Sequence, residues 1–126
     1  MENLFSIHRA RRVFTYGEAQ QVLPVVIRIT AESQREMTQL LNRLESIKYG
    51  STAAAQELEE QIEQLIEHWQ KKLSGLGVHP KGLWLADFDF GKGYYCWKYP
   101  ESDLRFYHGY QDGFSGRKSI QPEGLS

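Results

Sequence analysis

Apolar side chains at Leu23, Val26, Met37, Leu40, Leu44 and Ile47 recur at helical steps, with Thr30 and Ser33 filling the polar middle of the stripe. A second stripe, Ala55, Leu58, Ile62, Leu65, Trp69 and Leu73, follows the break at Gly50-Ser51-Thr52. Steps of three and four place such residues on one side of an α-helix, a side that must be covered. The first stripe runs for about seven turns. Two such stripes joined by a short break dictate a long antiparallel helical hairpin, with helix one over 14–49 and helix two over 52–73.

Local signals agree. Thr15 stands where it can cap the first free amides, and Glu18, three residues on, can reach back to the Thr15 N–H. Glu57, Glu59, Glu60 and Glu63 come early in helix two and Lys71 and Lys72 late, each sign at the end the helix dipole favours. Pro24 lies about two turns inside helix one, which predicts a bend or a short separate first segment.

From Gly75 onward the pattern alternates. "GLWLADF", "YYCWKY" and "LRFYH" read as three strands, with Gly91-Lys92-Gly93 and Pro100-Glu101-Ser102-Asp103 as the turns between them. Eleven of the sixteen aromatic residues fall between Trp84 and Phe114, enough for a core under such a sheet. The class is α+β: the helical hairpin followed by a small three-stranded antiparallel sheet and C-terminal loop over 83–120, within a single domain of 1–126. Val22, Val25, Ile27, Ile29, Leu41 and Ile66 lie off the seam and also need cover. Some will face the sheet. The remainder point to a homodimer through the helices, in a four-helix or coiled-coil arrangement.

Charge and cysteine content narrow the setting. A net charge of −1 offers no general attraction for nucleic acid or acidic lipid. The basic patch His8 to Arg12 and the clustered aromatics are the only nucleic-acid signals, without a recognition motif, so that class ranks low. No apolar run is long enough to span a bilayer. Leu4, Phe5 and Ile7 are followed by charge, not by an apolar signal-peptide core. A lone cysteine, Cys96, leaves no internal disulfide. A cytoplasmic protein without a membrane partner is the expectation.

Polar chemistry concentrates in "FYHGYQDGFSGRKS", residues 106–119. A Walker A loop is excluded, since it would need glycine at Gln111, lysine at Arg117 and a following helix. A looser anion site remains, with amides near Gly113 and Gly116 and the Arg117 fork; the plainer reading pairs Arg117 with Asp112 or a helix glutamate. His108, Asp112 and Arg117 are therefore the candidate ligand-binding residues. His108 with Asp87, Glu101 and Asp112 is the candidate set for a divalent metal, and Cys96 would add affinity for zinc. His108 and Asp112 could form a general base with its orienting carboxylate, and Cys96 with His108 a nucleophile and base. Cys96 lies between Tyr95 and Trp97, where a buried inert thiol is the commoner outcome. His68 and His79 carry weaker signals.

The segments "FTYGEAQQVLPVVIRI", "GLWLADF", "YYCWKY" and "FYHGYQDGFSGR", in this order, resemble the bacterial family called domain of unknown function 2203, over about Phe14 to Ile120. The most specific matches are Glu18-Ala19, Leu23-Pro24, Asp87-Phe88, Cys96-Trp97, Glu101, His108, Asp112-Gly113-Phe114 and Gly116-Arg117. Pro100 stands where the family usually has glycine, and Tyr107 where it often has tryptophan. The resemblance implies the fold and a small cytoplasmic prokaryotic protein, and brings no activity or cofactor with it. On the residues alone, a non-enzymatic self-associating or protein-interaction module ranks first. A metal- or small-anion-binding protein ranks second, and an enzyme last, because no nucleophile–base–orienter spacing is visible.

Overall fold

A computed structural model describes residues 12–47 and 52–121. Helix α1 spans Tyr16–Ser46 and α2 spans Thr52–Gly75. The expected bounds 48–49, most of the break before Thr52 and the basic patch up to residue 11 lie outside the described residues. Beyond α2 the chain forms β1 (His79–Pro80), β2 (Leu85–Asp89), β3 (Tyr94–Lys98), β4 (Phe106–His108), a 3-10 turn (Phe114–Gly116) and β5 (Lys118–Ser119). The strands pair in chain order as an antiparallel meander. The sheet thus has five strands where three were expected. The two additions are two-residue pieces whose pairing comes from their neighbours' ladders, not from any alternation of their own.

Both ends of the hairpin's joint with the sheet are specified locally. The Glu18 N–H donates to Thr15 Oγ1 at 3.1 Å and the Thr15 N–H to Glu18 Oε1 at 2.8 Å, the expected capping box. Replacing Thr15 by alanine should therefore cost about 1 kcal/mol of stability in urea unfolding. Pro24 does not divide the helix. It stands on the exposed side of an uninterrupted α1, where the carbonyl it leaves unbonded can meet water. Helix α2 closes on Gly77 with φ 79°, its N–H donating to the Ser74 carbonyl and that of Val78 to the Leu73 carbonyl. These two bonds make a Schellman cap, and buried Leu73 and Val78 supply its apolar contact.

Parity along the strands sorts their side chains into two sides. Ala86, Phe88, Tyr95 and Trp97 belong to the side that packs with Leu23, Val26, Met37, Leu65, Trp69 and Leu73 of the helices. The polar middle of the α1 stripe has a purpose: Trp69 Nε1–H donates to Thr30 Oγ1 at 2.9 Å inside the core. Trp84 has a left-handed backbone, φ 61°, and its ring stands edge-on to Trp69 at 5.1 Å. Such a conformation in a bulky residue costs on the order of 1 kcal/mol, held by the surrounding packing. Val22, Ile27, Ile29 and Ile66, off the seam and in need of cover, pack partly buried against this same core. Of the two remaining off-seam residues, Val25 is half-buried and Leu41 is 48% exposed. No helix among the described residues is long and apolar enough to cross a membrane.

Candidate functional site

The opposite side of the sheet carries the polar chemistry. Asp87 and Cys96 are direct cross-strand partners, as are Tyr94 and His108, so Asp87, Cys96 and His108 share the side turned away from the helices. All three are nearly inaccessible: Cys96 is 1% exposed, Asp87 3% and His108 4%. Their donor atoms lie within 4.8 Å of one another. Gly93 permits this approach, because a Cβ there would come within 2.5 Å of the His108 carbonyl oxygen of the adjoining strand.

The chain after β4 folds back over this side. Asp112 Oδ2 accepts from the Gly109 N–H at 3.0 Å, shaping the turn, and the Tyr110 hydroxyl donates to Asp89 Oδ1 at 2.7 Å. Arg117 makes a two-pronged pair with Glu101, at 3.1 and 2.6 Å, its guanidinium lying 3.9 Å from the Phe106 ring centroid and 4.3 Å from that of Phe114. This packed fork holds the return segment to the β3–β4 turn. What remains open is a cleft of about 270 Å3, with Asp87, Cys96 and His108 in its lining, walls of Leu85, Tyr94, Tyr110 and Phe114, and Lys81 among its lining residues.

The histidine is fixed in a specific protonation pattern. Its Nδ1 lies 2.8 Å from the Gly109 carbonyl oxygen. A carbonyl can only accept, so Nδ1 carries the hydrogen, and Nε2 faces Asp87 Oδ2 at 3.1 Å. Burial raises the Asp87 pKa, opposed by the charge and hydrogen bond of His108. Burial, followed by the negative charge of Asp87, pushes the Cys96 thiol up to about 12, with Arg117 acting the other way. As a free thiol it is inert; a bound metal ion would deprotonate it. His79 pairs across from Asp87 and tilts against Tyr94, ring centroids 5.4 Å apart. Its Nε2 is buried without a hydrogen-bond partner, and burial followed by Lys81 lowers its pKa.

The residues singled out from sequence thus divide into separate places. His108 and Asp87 meet, and Cys96, outside the candidate metal set but named as an aid to zinc affinity and as a nucleophile beside His108, is the third member of their group. Glu101 is not: its carboxylate is engaged by Arg117 and by the Lys98 N–H. Asp112 is not the carboxylate that orients His108; Asp87 is, because cross-strand registry outweighs closeness in sequence. Arg117 does pair with a carboxylate, as the plainer reading held, although the partner is Glu101 of the β3–β4 turn and neither Asp112 nor a helix glutamate. His108, Asp112 and Arg117 accordingly do not form one ligand loop. His68 is exposed on α2, in a groove between the helices with Glu36 and Arg43.

No curated protein and no solved structure matches the chain. A family model spans residues 12–120, taking in the capping box, the hairpin, the three buried donors and the Arg117 brace, and by that match the chain belongs to the family described as uncharacterized conserved protein (DUF2203).

Proposed function

We propose that this protein binds a zinc ion through Asp87, Cys96 and His108. The observation that carries the reading is the set of three buried donors within 4.8 Å of one another. The carbonyl of Gly109 orients the histidine from behind, as outer-shell acceptors orient metal-bound imidazoles. Around tetrahedral zinc, neighbouring donors stand roughly 3.3–3.8 Å apart, so shifts of about an ångström or less complete the shell. A thiolate with an imidazole and a carboxylate favours zinc over magnesium or calcium, which take oxygen donors. Three protein donors leave one position for water or a ligand, the pattern of zinc sites that act on small molecules.

Purified protein stripped of metal is expected to take up about one zinc per chain, read by elemental analysis after dialysis. Cobalt in its place should show the visible bands of a tetrahedral ion and a thiolate charge-transfer band in the near ultraviolet. Cys96→Ser should remove the charge-transfer band. His108→Ala should weaken zinc binding by on the order of a hundredfold or more. Cobalt bound with no thiolate band, or equal zinc uptake by His108→Ala, would be decisive against the site.

Self-association through the helices is the second reading. In its favour, the far end of the hairpin is only half covered within one copy: Leu40, Leu44, Ile47, Ala55, Leu58 and Ile62 are partly exposed and Leu41 is largely so. A second copy laid against this end would complete a four-helix arrangement. Light scattering at micromolar concentration is expected to give a dimer mass that Leu41→Glu reduces to a monomer; a wild-type monomer rules it out.

A further inference from the structure

The cleft above the three donors has its own chemistry, separate from what holds a metal. Its walls are apolar and aromatic, with Tyr94 and Tyr110 edge-to-face at 5.0 Å beside Leu85 and Phe114. About 270 Å3 is at the small end of ligand sites, suited to a single-ring molecule and too small for a nucleotide.

The charges around the cleft do not cancel. A divalent ion would be neutralised by the Asp87 carboxylate and the Cys96 thiolate, with His108 neutral. Arg117, the guanidinium nearest Cys96, is matched by Glu101. Lys81 is different. Its Nζ stands 4.9 Å from the Tyr94 ring centroid, over a wall of the cleft, and it forms no ion pair among the described residues. Lys98, its Nζ 5.4 Å from the Phe114 ring centroid, likewise forms no ion pair among the described residues. The Asp89 carboxylate that accepts from the Tyr110 hydroxyl offsets one of these two charges, so one positive charge is left over beside the cleft.

We infer that the cleft binds a small aromatic monocarboxylate, its ring against the wall formed by Tyr94, Tyr110 and Phe114 and its carboxylate shared between the metal and the Lys81 ammonium. This rests on the zinc reading for one of the carboxylate's two partners. Lys81 is then a specificity residue: it selects an anion over a neutral amide of the same shape. The aromatic walls select a flat body over an aliphatic one.

Calorimetric titration with sodium benzoate, benzamide and sodium acetate tests this, on zinc-loaded protein, metal-free protein and zinc-loaded Lys81→Gln. Zinc content is measured on each sample. Benzoate is expected to bind the loaded protein at least about tenfold more tightly than benzamide or acetate. Lys81→Gln, at an exposed position, should keep its zinc and melting temperature while losing about tenfold in benzoate affinity. Metal-free protein should lose a similar factor. Zinc-loaded protein that binds benzoate no better than benzamide overturns the inference and leaves the zinc reading standing, as does an unchanged Lys81→Gln. Protein that takes up no zinc overturns the zinc reading, and with it the metal's share of the carboxylate.

Discussion

Zinc binding should release about two protons per ion near neutral pH, so that affinity rises about a hundredfold for each pH unit. The count comes from the site. The hydrogen on His108 Nδ1 stays where it is, bonded to the Gly109 carbonyl. Nε2 and Asp87 Oδ2, 3.1 Å apart, both present lone pairs, and a hydrogen bond between them requires one proton. The Cys96 thiol, pushed up to about 12 by burial and by Asp87, holds the other. Zinc takes all three donors unprotonated, and both protons leave. Since protons are products, raising the pH favours binding. The slope falls by about one as the thiol itself titrates near the top of the range. Titration calorimetry in buffers of different ionisation enthalpy reads the number directly. Cys96→Ser should reduce it to about one, because a serine hydroxyl would stay protonated. Wild-type uptake with no proton release would place the ion elsewhere. The metal-free protein should show the opposite trend from the same thiol. Its folded pKa is raised above the ordinary 9.0, so its contribution to stability is complete below pH 9.0 and is lost as pH climbs toward about 12.

Trp69→Ala should be the most damaging substitution in the helices, lowering stability by about 3–5 kcal/mol. The indole is fully buried, stands edge-on to Trp84 and has its N–H satisfied by Thr30. Removal opens a large void between α1, α2 and the sheet and strands a buried hydroxyl. Thr30→Val keeps the volume and removes only the acceptor, which leaves a buried N–H unpaired at about 1–3 kcal/mol. Trp69→Phe combined with Thr30→Val should cost less than the two changes summed, because no polar group is then left alone. Urea unfolding of the four proteins measures the coupling. Strict additivity would mean that the buried bond contributes nothing of its own.

Much of this fold is legible in sequence because its signals are local and redundant. Thr15 and Glu18 mark the start of α1 by themselves, and the stripes from Leu23 and Ala55 need no knowledge of what covers them. The short strands are not legible in the same way. His79-Pro80 contains the residue least suited to a ladder, and Lys118-Ser119 is polar and exposed. Each becomes a strand only because β2 or β4 offers it a partner. The site was half legible for a related reason. Asp87 sits between Ala86 and Phe88, and Cys96 between Tyr95 and Trp97, so each polar group has core residues on both sides in sequence. Alternation alone puts them on the side opposite the core. Whether they meet depends on registry, which the two turns between the strands determine and composition does not encode. Asp112 lies only four residues from His108, but the turn it stabilises directs its carboxylate to the Gly109 amide. Glu101 and Arg117 are sixteen residues apart and become neighbours only once the β3–β4 turn is closed.

That registry also decides which changes of length the chain can absorb. Deleting one residue within β3 would exchange its two sides, turning Cys96 toward the helices and Trp97 into the cleft. The core and the donor group would fail together, and neither could be restored by substitution at a single position. Lengthening the exposed turn at Gly91-Lys92 leaves parity untouched and should be tolerated. Selection for a stable core is therefore enough to keep Asp87, Cys96 and His108 aimed at one point. The geometry of the donor group is inherited along with the packing of Trp97 and Phe88, even where nothing is bound.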